Sequence, residues 1–359
     1  MAKVLMKGNE AIGAAAINAG CRYFFGYPIT PQNEVPEYMS RELPKAGGVF
    51  VQAESEVAAI NMVYGASGAG ARVMTSSSSP GIALKQEGIT YIAGAELPCV
   101  IVNIMRGGPG LGGIQPAQSD YNQSTRGGGN GDYKLLVYAP ANLQEMVDMV
   151  QEAFDAADYY RNPVLVVGDG MIGQMMEPVE FKPYASKYEL AEKTWATDGT
   201  KGKRSPNIIN SLFLDPAKLE EHNVKLQAKY KAIKENEARA ESYNMDNAQV
   251  VIVAYGTTSR IAKNAIESLK KEGIEVGLIR PQTLWPFPDR AFESLPESCK
   301  SLLVVEMSMG QMIDDVKLAT SCRLPVEFYG RAGGMIPEPD AIADKIKDCL
   351  LYTSDAADE

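Results

Sequence analysis

The nine residues Leu97-Pro-Cys-Val-Ile-Val-Asn-Ile-Met105 are almost unbroken apolar chain. A strand with one face in water alternates polar and apolar residues, whereas this run has no wet face and suits a central strand of a parallel sheet, covered on both sides. Its surroundings repeat the theme. Strands are expected around Tyr23–Phe25, Gly48–Gln52, Arg72–Thr75, Leu135–Tyr138 and Val164–Val167, and helices over Glu10–Ala19, Asn33–Leu43, Glu56–Tyr64, Ile82–Ala93 and Asn142–Tyr160. Regular alternation of the two predicts an α/β fold with helices on both faces of a mostly parallel sheet. From Met171 to Met245 the composition turns polar, with a charged helix expected over Lys218–Ala240. A second α/β unit then opens at Gln249–Ala254 and closes near Lys347. The expected division is residues 1–185, a polar helical excursion over 186–246, and a second α/β domain over 247–348. The end, C-L-L-Y-T-S-D-A-A-D-E over 349–359, matches a translated sequencing adapter and is read as non-native.

Length and charge narrow the function. A chain of 359 residues is long enough for two domains. A net charge of −10 argues against nucleic acid as a partner. No apolar run reaches membrane-spanning length and the start lacks a signal-peptide core, so a soluble, cytoplasmic protein without a membrane partner is expected. Cys21, Cys99, Cys299, Cys322 and Cys349 are scattered without a C-x-x-C pair, so neither a zinc site nor an iron–sulfur site is expected here, and no metal-ligating residues are assigned. His222, the one histidine, stands among Glu220, Glu221 and Asn223 and reads as part of a solvated face.

The glycine-rich segments Gly68–Gly70 and Arg106–Gly113 form neither a G-x-G-x-x-G turn nor a Walker loop. Gly168-Asp169-Gly170 imitates the opening of a thiamine diphosphate metal site, but no Asn follows at the distance that would complete a magnesium shell. Three other places offer chemistry. In Gly26-Tyr-Pro-Ile-Thr-Pro31 a strand breaks into a turn, with Thr30 expected as a helix N-cap and Pro31 as the first helical residue. Such a helix start, with free N–H groups, would suit a carboxylate. Glu56 opens an apolar helix directly after a strand, close to a second acid, Glu54. Arg106 ends the most apolar strand and enters a glycine loop, where a guanidinium can pair with a carboxylate or phosphate.

The string Gly26–Pro31 resembles the Y-P-I-T-P signature of the α subunit of 2-oxoacid:ferredoxin oxidoreductases. The resemblance continues through Gln52–Ala66, Thr75-Ser-Ser-Ser-Ser-Pro-Gly81 and Met105–Gly110. It returns in the second unit at Arg280–Pro286, Val305–Gln311 and Gly330–Gly334, and so covers nearly the whole chain. The wording R-G-G-P-G-L-G after Met105 is similar to the branched-chain (2-oxoisovalerate) subgroup, whereas the 2-oxoglutarate subgroup tends to read R-S-G-P-S-T-G.

This resemblance implies a pyrimidine-type domain of thiamine diphosphate enzymes followed by a transketolase C-terminal-like α/β domain. It also implies a β subunit that carries the diphosphate and Mg2+ site, further γ and δ subunits that carry iron–sulfur clusters, and ferredoxin as electron acceptor. The thiamine diphosphate would be shared with the partner subunit, and coenzyme A would take the acyl group after oxidative decarboxylation of a 2-oxoacid. Glu56 matches the family glutamate at the pyrimidine ring, because Gly65 follows it at the family's spacing and Glu54 does not share that spacing. A carboxylic acid there favours the imino form of the ring. Thr30 and Arg106 match the positions that hold the oxoacid carboxylate, and Pro28 and Ile29 those beside the cofactor. The expected substrate is 3-methyl-2-oxobutanoate. The alternatives are 2-oxoglutarate or another 2-oxoacid, or, in a different class, a non-catalytic nucleotide-binding or assembly subunit.

Overall fold

The computed structural model describes residues 3–182, 185–200 and 202–355, the last four by backbone alone. The first part of the chain runs β1 (Val4–Lys7), α1 (Gly8–Asn18), β2 (Tyr23–Gly26), α2 (Glu34–Glu42), β3 (Val49–Gln52), α3 (Glu56–Gly68), β4 (Val73–Ser77), α4 (Ser79–Gly94) and β5 (Val100–Met105). It continues through α5 (Tyr121–Arg126), β6 (Leu136–Tyr138), α6 (Leu143–Tyr160), β7 (Val164–Asp169), α7 (Gly170–Gln174) and β8 (Met176–Val179). The later part holds α8 (Pro216–Glu237), β9 (Ala240–Tyr243), β10 (Val250–Val253), α9 (Gly256–Lys271), β11 (Val276–Pro281), β12 (Thr283–Trp285), β13 (Ser301–Glu306), α10 (Met312–Ala319), β14 (Val326–Gly330) and α11 (Pro339–Asp355).

The first sheet has the order β12-β6-β7-β5-β4-β2-β3 and is parallel apart from β12, which runs against β6. β5 lies near its middle and every residue of it is buried, as its apolar sequence requires. One face is covered by α1, α2 and α6 through Ile12, Val35, Met39 and Val147, and the other by α3 and α4 through Ile60, Val63, Ile82 and Ile89. β1 and β8 form a separate antiparallel pair.

The second sheet has the order β14-β13-β10-β11-β9, with β9 antiparallel at its edge. The two parts of the chain exchange strands. β9 precedes the second unit in sequence and joins its sheet, while β12 leaves that unit to complete the first sheet. α8 carries few core positions, as its charge pattern implies, yet Leu226, Tyr230 and Ile233 anchor it to the first unit's core. Residues 349–355 continue α11, and Cys349 is buried there in the core of the second unit.

The turn after β2 differs from its sequence expectation. Thr30 is exposed and caps no helix; α2 begins at Glu34, with Asn33 before it, and the Thr30–Pro31 peptide is cis. The Pro31 carbonyl accepts from Asn9 Nδ2 at 2.8 Å and Gln174 Nε2 at 3.0 Å, and Gln32 N–H donates to the Ile29 carbonyl at 3.1 Å. These bonds hold residues 29–32 as a turn of their own. The N–H groups of α2 therefore do not converge on Thr30, and Glu34 and Glu37 already occupy the first turn of that helix.

Candidate functional site

In the first sheet the chain leaves β2 outward to β3 and then crosses to β4 on the other side of β2. α2 packs on one face and α3 on the other, so the connections part at β2, and the carboxyl ends of the strands at such a point are the usual ligand site of these sheets. Four segments meet at this edge. The β2 loop brings Pro28, Ile29 and Thr30, the β3 loop Glu56, the β4 loop Ser77–Gly81, and the end of β5 Arg106.

Glu56 owes its place to the start of α3. Ser55 is the N-cap, its hydroxyl accepting from Ala58 N–H at 3.1 Å, and the acidic side chain that follows sits favourably at the positive helix end. The helix turns Glu56 inward to 6% exposure and leaves Glu54 exposed. Among the described residues the Glu56 carboxylate takes no hydrogen bond. It lies against Gly81, where an added Cβ would stand 2.7 Å from Glu56 Oε1 and 2.0 Å from Ser77 Oγ. Only glycine lets the acid and this turn come so close.

Arg106 is 7% exposed. Its Nη1 donates to the Thr30 carbonyl at 2.8 Å and its Nη2 to the Leu111 carbonyl at 3.1 Å, while its Nε is buried without a protein partner. Two of five guanidinium N–H donors are thus engaged, and the fork keeps donors for an anion. Arg106 N–H donates to Ser79 Oγ at 3.0 Å, and that hydroxyl donates to Asp120 Oδ2 at 2.5 Å. Asn103 Nδ2 also donates to Asp120, whose carboxyl burial raises above its ordinary range.

The serine turn between β4 and α4 therefore touches Glu56 on one side and Arg106 on the other. The structure brings Thr30 and Arg106 into contact and places Glu56 across this turn from them. Pro28 is exposed and Ile29 partly so, on the rim. Ser77 Oγ, Ser78 Oγ and Gln32 Nε2 are buried at the same edge without protein partners. A buried acid, unpaired hydroxyls and a partly engaged guanidinium fit a polar aromatic ring together with a carboxylate.

The sequence reading missed Lys85. It is fully buried beneath the turn, donating to Thr75 Oγ1 at 2.7 Å and to the Ser76 carbonyl at 3.0 Å. The available signal was its position in α4, in register with Ile82 and Ile89 on the buried stripe. Other candidates prove structural. Asp169 is buried and caps α7, accepting from Met171 and Ile172 N–H. His222 meets the Gly94 carbonyl at 2.7 Å and stacks on Phe213. Burial pushes the Cys21 and Cys99 thiols up to about 12. Among the described residues no cluster of His, Cys, Asp or Glu could hold a metal, and no helix is long and apolar enough to cross a membrane.

Comparison with known proteins shows the family. Residues 14–246 match the family described as pyruvate flavodoxin/ferredoxin oxidoreductase, thiamine diphosphate-binding, and residues 248–342 match core domain II of pyruvate:ferredoxin oxidoreductase. The chain belongs to the 2-oxoacid:ferredoxin oxidoreductase family. It is 50% identical over 355 residues to a ketoisovalerate oxidoreductase subunit of Methanothermobacter thermautotrophicus, covering 99% of this chain and 100% of that one. A 2-oxoglutarate synthase subunit of Archaeoglobus fulgidus is 38% identical, over 91% of this chain and 94% of that one. Among solved structures, the 2-oxoglutarate:ferredoxin oxidoreductase from Magnetococcus marinus, with 2-oxoglutarate, coenzyme A and succinyl-CoA bound, superposes with a TM-score of 0.86 at 29% identity. The match spans 96% of this chain and 65% of that longer one. A split-gene transketolase superposes at 0.59 and 13% identity, which shows a shared fold alone. The chain is thus an enzyme subunit of α/β fold, and the domain that carries Glu56, Thr30 and Arg106 is of the thiamine diphosphate-binding type.

Proposed function

We propose that this chain is the α subunit of a ferredoxin-dependent oxidoreductase that decarboxylates a branched-chain 2-oxoacid, 3-methyl-2-oxobutanoate, and passes the acyl group to coenzyme A. The observation that carries this reading is the meeting of Glu56, Thr30 and Arg106 around one serine turn at the carboxyl edge of the sheet. Identity of 50% with a ketoisovalerate subunit against 38% with a 2-oxoglutarate subunit supports the branched-chain choice. So does the chemistry beside Arg106, where Leu111 and Ile114 stand exposed within the same loop and would suit an aliphatic side chain.

In this reading Glu56 holds a proton at the pyrimidine nitrogen of thiamine diphosphate, with Pro28 and Ile29 beside the ring. The bound cofactor supplies a nucleophilic ring carbon for the keto group. Arg106 offers its free donors to the substrate carboxylate and Thr30 its hydroxyl. The division into residues 1–185, 186–246 and 247–348 gives the first unit this chemistry and the second an assembly role. A β subunit completes the diphosphate and Mg2+ site, γ and δ subunits carry the clusters, and ferredoxin takes the electrons.

The test is co-expression with the partner subunits and measurement of ferredoxin reduction across a panel of 2-oxoacids. The assembled enzyme is expected to show its highest kcat/KM on 3-methyl-2-oxobutanoate, and the chain alone is expected to be inactive. Preference for 2-oxoglutarate would overturn the substrate, and an active single chain would overturn the division of labour.

A further inference from the structure

Lys85 is a charge in a place that needs a reason. Burial of an ammonium is costly unless a partner offsets it. Its hydrogen bonds go to neutral groups, the Thr75 hydroxyl and the Ser76 carbonyl, at the floor of the serine turn. α4 packs on α3 and on β5. β5 reads V-I-V-N-I-M and carries no charge, and β4 contributes V-M-T-S-S. The titratable group whose charge reaches Lys85 is Glu56, at the start of α3. Burial pulls the ammonium down to about 7, against the opposing attraction of the Glu56 carboxylate. The same turn joins the two groups by contact: Lys85 holds Thr75 and Ser76, Ser77 follows, and Ser77 and Glu56 both close on Gly81.

We propose that Lys85 is a positioning residue of the cofactor site, whose buried ammonium pins the floor of the serine turn and attracts the Glu56 carboxylate. The proposal rests on the reading that Glu56 meets a ring nitrogen. Lys85 is fully buried, so a ligand ring must approach Glu56 from the open edge of the sheet. Moving the shared proton from the acid to the ring then moves positive charge away from the lysine. The ammonium therefore biases the proton toward the ring.

Coupling between two titrating groups is the same seen from either end, and this gives a test on the full chain without cofactor. With 13C-labelled glutamate, the Glu56 carboxyl resonance is identified by its loss in Glu56→Gln. In Lys85→Met that resonance is expected to respond to pH differently from the parent chain, with the protonated form persisting to higher pH. With 13C-labelled lysine, the Lys85 midpoint in Glu56→Gln is expected to fall, and this arm leaves the lysine intact should Lys85→Met fail to fold. An unchanged response to pH, in either arm that folds, would overturn the proposal. In the assembled enzyme, the acid limb of the kcat profile is expected to move to higher pH in Lys85→Met and to show no such movement in a Glu56→Gln background. An equal movement in both backgrounds would also overturn it. The cofactor-free titrations can succeed even if Glu56 meets no ring, so failure of this proposal is distinguishable from failure of the proposed function.

Discussion

At the scale of single residues, two acids stand two positions apart and the helix start separates them, with Glu56 buried and Glu54 in water. Glu56→Gln keeps the shape but cannot supply an acidic proton. In the assembled enzyme its turnover is expected to fall by at least about 10²-fold, the scale of lost acid–base assistance, while oxoacid binding persists. Glu54→Gln should run near wild type, and the reverse pattern in steady-state kinetics would show that the wrong glutamate was chosen. Arg106→Ala removes donors to the substrate and also frees the Thr30 and Leu111 carbonyls. A loss of roughly 2–4 kcal/mol in transition-state binding is expected from kcat/KM, with a smaller loss for Thr30→Val. Normal kinetics in the arginine variant would remove it from the site. The places of Glu56 and Arg106 in the fold were legible in sequence because each has a local signal, a helix start and a strand end. Lys85 had only a helical register to mark it, and the turn above it could not be built from spacing.

At the scale of elements, the serine turn is what makes the site. Its glycine is required by proximity rather than by a left-handed backbone. A methyl group on Gly81 would stand 2.0 Å from Ser77 Oγ and 2.7 Å from Glu56 Oε1. The worse overlap is with Ser77 Oγ, so that hydroxyl must rotate or the turn must shift, and Glu56 is displaced with it. Gly81→Ala is expected to destabilise the chain by about 1–3 kcal/mol in thermal melting and to depress turnover together with the Glu56 function. Gly65, within α3, has open space at its Cβ, and Gly65→Ala should raise the melting temperature of the isolated chain through helix propensity. If Gly81→Ala melts and turns over like the parent, the close packing of the turn is wrong. The helix cap expected at Thr30 failed for an element-level reason. The Thr-Pro pair looks like a helix start, but the donors that hold the Pro31 carbonyl come from Asn9 and Gln174, far along the chain. Long-range partners of this kind leave no mark in a local string.

At the scale of the whole molecule, the alternation of strands and helices was legible because each element carries its own apolar period. The exchange of β9 and β12 between the sheets was not, since both strands are short and are defined by their neighbours. The loop after Arg106 is tied to the second unit through Ser119, whose carbonyl accepts from Gln311 Nε2 at 2.7 Å, and above all through the buried Gln118. Gln118 is 1% exposed; its Nε2 donates to the Tyr255 carbonyl at 2.9 Å, and its Oε1 accepts from Thr258 Oγ1 at 2.8 Å and from Met307 N–H at 3.0 Å. Its backbone N–H donates to the Met307 carbonyl at 2.8 Å. A side chain that satisfies three buried groups of the other unit, at the start of α9 and just after β13, fixes the path of the chain from Arg106 to Asp120. Gln118→Ala takes the acceptor from the Thr258 hydroxyl and the Met307 N–H and a donor from the Tyr255 carbonyl, all at a buried position. The cost is expected to be roughly 2–4 kcal/mol in denaturant unfolding. Arg106 draws its position from both ends of this loop, through Leu111 and through Asp120 by way of Ser79. The same variant should therefore raise KM for the 2-oxoacid in the assembled enzyme, although Gln118 lies outside the serine turn. Gln118→Glu keeps an acceptor for Thr258 and Met307 but sets a buried, unpaired carboxylate against the Tyr255 carbonyl, so its losses should be no smaller than those of the alanine variant. A stable Gln118→Ala chain with unchanged KM would mean that the second unit does not hold the site in place.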